Sequence, residues 1–168
     1  MTLDMTSFAE LSRACAPSVH PTTMAALVST ESSRNPFAIG VVGARLVRQP
    51  THLDEAVATV KALEARGMNF SVGIAQVNRY NLPRLGLDHA RAFDVCANLG
   101  AGARILTECF GRAKATNRTE QQALQAAISC YYSGNFSRGF VSDGAGQSSY
   151  VQRVLSSAAI YQRSNPAP

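Results

Sequence analysis

At 168 residues, with 46% hydrophobic and 16% charged side chains, the chain is long enough for one domain with a real core and too apolar for extended disorder. Sixteen basic against eleven acidic residues give a formal charge of +5, which permits attraction to a polyanion. The arginines are scattered and form no recognition motif, so no nucleic-acid partner is expected. Apolar runs are short, with 24–28 typical, so no membrane span is expected either.

Ser7-x-x-Glu10 reads as a capping box that starts a first helix, with Phe8, Leu11 and Cys15 inward and Ala16-Pro17 as its stop. A second helix follows His20, with Pro21 at its first position. Over 21–33, Met24, Leu27, Val28 and Glu31 fall at i, i+3, i+4 and i+7, one face of a 3.6-residue period. Asn35-Pro36 then ends the helix, because the residue before a proline is pushed out of the α region. A carboxyl on the apolar side of a helix end is partly desolvated, which favours its neutral form and raises its pKa toward the range of a general acid. The ordinary alternative is that Glu31 marks the stripe's edge, reaching water or pairing with Arg34.

Between 37 and 50 the β-branched run Ile39-Gly-Val-Val-Gly-Ala-Arg-Leu-Val-Arg predicts a short hairpin or extended loop. Thr51 can cap a helix to about Arg66, with Leu53, Val57, Val60 and Leu63 inward, Asp54 and Glu55 in its first turn, and Gly67 beyond its end. The apolar segment 73–78 leads into a loop over 79–86. Asp94 caps a helix to Phe110 with Gly111 as its stop; Gly100 and Gly102 inside it imply close packing. Thr119-x-x-Gln122 starts the next helix, with Leu124, Ala127, Ile128 and Tyr131 inward, and Ser133-Gly134-Asn135 ends it. After the Gly/Ser-rich turn 142–149, a last helix covers 150–162, and 164–168 is a frayed tail. The reading is mainly α with a small hairpin or loop lobe, one domain over 1–168 with its core at about 8–160.

Cys15, Cys96, Cys109 and Cys130 include no CxxC pair, so no metal site is expected, and they allow three complete pairings. In an exported chain Cys96–Cys130 is favoured, since one opens a helix and the other closes the next, leaving Cys15–Cys109. In a reducing compartment all four are small core residues. The opening Met-Thr-Leu-Asp-Met-Thr shows neither the basic nor the apolar region of a signal peptide, so the expectation is a cytoplasmic protein or a chain that begins after a removed leader.

Three segments, Glu31-Ser-Ser-Arg-Asn-Pro, Gly73-Ile-Ala-Gln-Val-Asn and Cys130-Tyr-Tyr-Ser-Gly, followed by Tyr150-Val151, stand in an informative order. In order and approximate spacing they resemble the motifs of the soluble lytic transglycosylase family, which has a lysozyme-like fold. Over 39–70, the run Arg-Leu-Val-Arg-Gln-Pro and the helix after it are similar to the branch that serves type IV secretion systems. Two positions depart from the family pattern: Ala75 stands for the usual Met, and Tyr132 for the usual Asn. The first is expected to alter a hydrophobic wall of the sugar cleft.

The resemblance implies a periplasmic, monomeric, cofactor-free enzyme acting on peptidoglycan glycan strands beside type IV secretion components. It implies Glu31 as the catalytic acid/base, with Ser32, Gln76, Asn78, Tyr131 and Tyr150 binding substrate. Gln76 would meet the sugar's N-acetyl or hydroxyl groups, Tyr131 would floor the cleft and Tyr150 would hydrogen-bond near Glu31. Ordinary readings stand beside these: Tyr131 as a core aromatic, Gln76 and Ser32 as partners of backbone groups, and Asn78 as a turn or capping residue. A two-carboxylate glycosidase needs a second acid about 5–9.5 Å from the first. Asp54, Glu55 and Glu64 read as helix-surface charges, so a single acid with substrate assistance is expected. A lysozyme-type hydrolase using Glu64 or Asp54, and a non-catalytic wall-binding module, are the alternatives.

Overall fold

The computed structural model describes residues 5–142 and 144–165, with side chains from residue 7 onward. The helices are α1 (Met5–Cys15), α2 (Pro21–Ser32), α3 (Leu53–Ala65), α4 (His89–Ala92), α5 (Val95–Lys114), α6 (Glu120–Ser133) and α7 (Tyr150–Ser164). Three short strands, β1 (Ile39–Val41), β2 (Phe70–Val72) and β3 (Val77–Asn78), form one antiparallel sheet in the order β1-β2-β3. The mainly α architecture with a small non-helical lobe matches the sequence expectation.

Helix α2 organises the molecule. Met24, Ala25, Ala26, Leu27 and Val28 are all buried, and a helical stretch apolar on every side, as 24–28 is, belongs inside a core rather than on its surface. It packs against α1 and α7, while α5 packs along α6. Met24, Ala25 and Val28 join the core around Phe8, Phe70, Ile74 and Leu99. Ala26 and Leu27 join a second core with Leu106, Ile128, Tyr150 and Val154. Glu31 therefore emerges where the two cores meet.

The sheet stands at one flank of α2, and its register sorts side chains by the two-residue period of a strand. Ile39 pairs with Val72 and Val72 with Val77, facing the core, whereas Gly40, Ser71 and Asn78 align across the three strands on the other face. Of the two expectations for 39–48, the hairpin does not form, because β1 pairs with β2 across the intervening helix α3, and the residues after β1 are turn and loop. The outer edge of β1 is closed by one side chain: Gln49 accepts from the Ile39 N–H at 2.8 Å and donates to the Ile39 carbonyl at 3.0 Å. That mimics a strand partner and blunts the edge.

Several boundaries shift for local reasons. Helix α1 is already under way at Met5, so Ser7 lies in its first turns rather than at its cap. Helix α2 ends at Ser32, before Asn35-Pro36, because Ser33 and Arg34 adopt left-handed φ values of 53° and 62°. The cap of α3 is His52, whose ring accepts from the Glu55 N–H, and Leu53 is exposed. Helix α5 runs through Gly111 to Lys114. The last helix includes Ser164, while 166–168, most of the expected tail, lie outside the described residues.

The disulfides are Cys15–Cys96 and Cys109–Cys130, which corrects the expected pairing. At about 1.5 Å of rise per residue, Cys96 lies about 27 Å from the α5 end, far beyond the level that Cys130 reaches about 15 Å along α6. Cys109 sits nearer that level, so antiparallel packing brings it to Cys130. Cys96 is left for the end of α1.

Candidate active site

Glu31 is held at the last turn of α2 by bonds on both sides. Ser32 Oγ donates to the Val28 carbonyl at 3.2 Å and to the Ile74 carbonyl at 2.6 Å, fastening the helix end to the turn 73–76. From α7, which packs against α2, the first residue presents its phenol: Tyr150 Oη donates to Glu31 Oε1 at 2.6 Å. The Ser149 side chain caps α7 by accepting from the Gln152 N–H, which sets where Tyr150 begins. Burial pushes the Glu31 carboxyl up from its ordinary 4.5 to about 7, against the opposing pull of the Tyr150 hydrogen bond and the Arg153 charge. Glu31 makes no ion pair with Arg34 or any other described residue.

Tyr131 turns inward from α6 and donates to the Ala75 carbonyl at 2.5 Å. Burial first, and the Glu31 charge second, hold the phenols of Tyr131 and Tyr150 well above their ordinary value. Both therefore remain donors at any pH at which the protein works. Ala75 itself is buried against α5, where a Cβ at Gly102 would stand 2.8 Å from its own. It does not line the groove, contrary to expectation; it permits the close approach that Gly102 also requires.

The opposite wall is the strand lobe. Gln76 adopts φ 51°, a sparsely populated backbone conformation for a side-chain-bearing residue. Its Nε2 donates to the carbonyls of Ala38 at 2.9 Å and Gly73 at 3.0 Å, which employs both amide protons. Only Oε1 is left, facing Gly40, where a Cβ would meet it at 2.7 Å. Asn78 donates to Asn69 Oδ1 at 2.8 Å and accepts from the Tyr80 N–H at 3.1 Å, so it caps the 3-10 turn Arg79–Asn81 while lining the cleft.

Glu31, Gly40, Gln76, Asn78, Tyr131 and Tyr132 bound an inner chamber of about 270 Å³. It opens into a longer arm of about 1240 Å³ that also contains Arg84, Glu108, Arg112 and Arg138. The two share Val42, Ser71, Asn78, Asn81, Ile105, Tyr131 and Tyr132, and so form one groove. Of the expected site residues, Glu31, Gln76, Asn78 and Tyr131 line the chamber, Tyr150 reaches it through Glu31, and Ser32 braces the helix end behind it.

No second acid shares the inner chamber among the described residues. Glu64 pairs with His89 at 2.6 Å, Glu55 with Arg48 at 2.5 Å, and Asp54 is exposed on α3. Glu108, in the long arm, is bridged by Arg84 at 3.0 Å and Arg104 at 3.3 Å, and Arg84 holds its carboxyl below the ordinary value. An acid with its pKa raised to about 7, beside a groove and without a partner carboxylate in the chamber among the described residues, can deliver and recover one proton.

Sequence reasoning missed two contributors. Asn98, fully buried on α5, accepts from the Ala75 N–H at 2.7 Å and donates to the carbonyls of Val72 at 3.0 Å and Ala92 at 2.8 Å. It shapes the turn that presents Gln76, and an amide set beside Leu99 in an apolar helix line was its only signal. Arg153, on α7, acts on Glu31 by charge, and nothing in its sequence surroundings marks it.

The family model for the transglycosylase SLT domain matches residues 9–150. The chain is 56% identical over 157 residues to the type IV secretion system protein virB1 of Brucella abortus (strain 2308) and of Brucella suis biovar 1, covering 93% of this chain and 66% of each relative. It is 34% identical over 158 residues to protein virB1 of Rhizobium radiobacter, covering 93% of this chain and 62% of that protein. The chain thus spans just under two thirds of the length of these curated relatives. No solved structure matches it.

Proposed function

The chain belongs to the transglycosylase SLT domain family, and from that premise we propose that it is a peptidoglycan lytic transglycosylase with Glu31 as its one acid/base. Neutral Glu31 protonates the oxygen that joins N-acetylmuramic acid to N-acetylglucosamine, and the glycosidic bond breaks. The muramyl N-acetyl group shields the positive charge that develops at the anomeric carbon. Glu31, now a carboxylate, takes the proton from the same sugar's 6-hydroxyl, whose oxygen closes a 1,6-anhydro ring. No water is consumed, and Glu31 ends protonated as it began. An intramolecular hydroxyl outcompetes water because oriented groups reach effective molarities on the order of 10⁵ M or more.

The observation that carries this reading is Glu31 itself: a carboxyl pushed to about 7, held by Tyr150, in a chamber with no second acid among the described residues. A group with that pKa is present in both protonation states near neutral pH, as a single-residue acid and base requires. The long arm, with Arg84, Arg112 and Arg138, suits a wall polymer that carries carboxylates. We further propose that the activity opens the cell wall for a type IV secretion system, the setting named for the Brucella relatives. The two disulfides suit an oxidising compartment, and a periplasmic location follows from that setting.

Digestion of purified sacculi, with the soluble muropeptides weighed by mass spectrometry, tests the proposal. Products lighter by one water than reducing-end muropeptides are expected, and Glu31→Gln should lower their release by about 10³-fold or more. Reducing ends would make the protein a hydrolase. Undiminished release by the variant would remove Glu31 from the mechanism.

A further inference from the structure

Consecutive tyrosines on α6 point in different directions. Tyr131 runs inward to the Ala75 carbonyl. Tyr132, about 100° further round the helix, sits at the groove rim and is 46% exposed. One of its faces is nevertheless occupied: its ring lies on that of Tyr150, with centroids 4.4 Å apart and planes 13° from parallel. Tyr150 is 3% exposed, and its hydroxyl is the group that donates to Glu31.

The geometry assigns Tyr132 as a positioning residue, a stacking brace that fixes the Tyr150 ring and, through it, the hydrogen bond on Glu31. The backbone alone cannot do this. The Ser149 cap fixes where Tyr150 starts on α7, but a phenol hydroxyl lies at the end of two rotatable bonds, so ring orientation decides whether it reaches the carboxyl. Stacking at this separation resists that rotation. The Arg153 guanidinium, 6.0 Å from the Tyr150 centroid, is a looser constraint. Ser149 and Arg153 belong to α7 or its cap, and the core around Leu27 and Ile128 encloses the ring, while Tyr132 adds from α6 the aromatic face that lies parallel to it.

A consequence for pH follows. The titratable and charged groups acting on Glu31 are Tyr131 from α6 and Tyr150 and Arg153 from α7. Strands β1 and β3 and the turn 73–76 present Gly40, Asn78 and Gln76 to the chamber, none of which titrates. Tyr150's hydrogen bond favours the carboxylate, so loosening it raises the Glu31 pKa and moves the alkaline limb of the rate profile to higher pH.

The inference rests on Glu31 being the acid of the proposed reaction, and its test separates the two. Titration of the Glu31 carboxyl by carbon NMR, in the substrate-free protein, needs no turnover. Tyr132→Ala should raise the midpoint, Tyr132→Phe should return it toward that of the parent, and Tyr132→Ala should add nothing in a Tyr150→Phe background. In sacculus digestion the same substitution should lower kcat by about two- to tenfold, with the alkaline limb displaced upward. An unmoved midpoint, or an equal displacement in the Tyr150→Phe background, would overturn the inference even if the enzyme is active. Were the parent protein inactive on sacculi, the transglycosylase reading would fall while the titration still decided whether Tyr132 braces Tyr150.

Discussion

The two walls of the groove are built on opposite principles. On the helical wall, burial is left partly uncompensated: Glu31 accepts from Tyr150, forms no ion pair with a described residue, and has its pKa pushed to about 7. On the strand wall the polar side chains are matched to backbone. Gln76 serves Ala38 and Gly73 and Asn78 serves Tyr80, while Asn98, buried behind this wall on α5, serves Ala75, Val72 and Ala92. Reactivity is concentrated where a buried charge-bearing group lacks compensation, and rigidity where the side-chain donors are committed to the fold. Substitutions in the first wall should therefore cost activity more than stability, and those in the second the reverse.

The largest effects are expected from the two disulfides, which clamp α5 to different partners. Cys96 lies two residues before Asn98 and ties that end of α5 to α1 across an 81-residue separation; Cys109–Cys130 spans only 21 and joins α5 to α6. The chain-entropy relation gives about 4.5 kcal/mol for the first and about 3 kcal/mol for the second. Paired Cys→Ala variants, unfolded in urea, should show that order. A reversed order would mean that native contacts, and not loop length, dominate.

Asn98→Ala comes next. It strands one buried N–H and removes the donor from two buried carbonyls, a loss of about 3 kcal/mol or more. The urea midpoint should fall with the slope unchanged. Glu31→Gln should do the opposite above neutrality. Between pH 4.5 and about 7 the folded protein retains a proton on Glu31 that the unfolded chain has released. Stability therefore falls as pH rises through that window, by about 3 kcal/mol once it is crossed. A glutamine escapes the loss. Its variant should match the parent near pH 4 and melt roughly 6–12 °C above it at pH 8, while its release of muropeptides should fall as the proposed reaction requires. Equal melting temperatures at both pH values would show that Glu31 is not desolvated as described.

How much of this was readable in advance follows the same division. The caps at Asp94 and Thr119, Pro21 at the start of α2, and the Met24–Glu31 stripe depend on neighbours within a turn or two, and the structure reproduces them. The SLT domain is lysozyme-like, and the mainly α fold with a small sheet agrees with that resemblance. What failed was long-range. The partner of β1 lies across α3, so no local pattern in 39–48 could disclose it. The disulfides depend on the relative rise along α5 and α6, which residue order alone does not reveal. Within the groove, Glu31 stood out because burying an acid is costly. Asn98 did not, because an amide fully satisfied by distant backbone looks like any polar residue until those partners are placed.

Gln76 offers the smallest and sharpest test of the strand wall. Its amide protons are committed to Ala38 and Gly73, so the group left for a ligand is Oε1, an acceptor beside Gly40. One neutral hydrogen bond of that kind is worth about 1 kcal/mol, roughly fivefold in kcat/KM. Gln76→Ala should lose that factor, together with a comparable amount of stability from the side-chain donor lost at each of two carbonyls, which keep only their backbone donors, the Gly73 and Gln76 N–H groups. Gln76→Glu distinguishes the two contributions. The carboxylate keeps an acceptor toward the chamber but sets a second oxygen against the Ala38 and Gly73 carbonyls. If the strand wall acts chiefly as a scaffold, the glutamate variant should be less stable than the alanine variant. If its acceptor dominates, the glutamate variant should retain the better kcat/KM. Measuring urea midpoint and kcat/KM on the same two variants assigns Gln76 to architecture or to recognition.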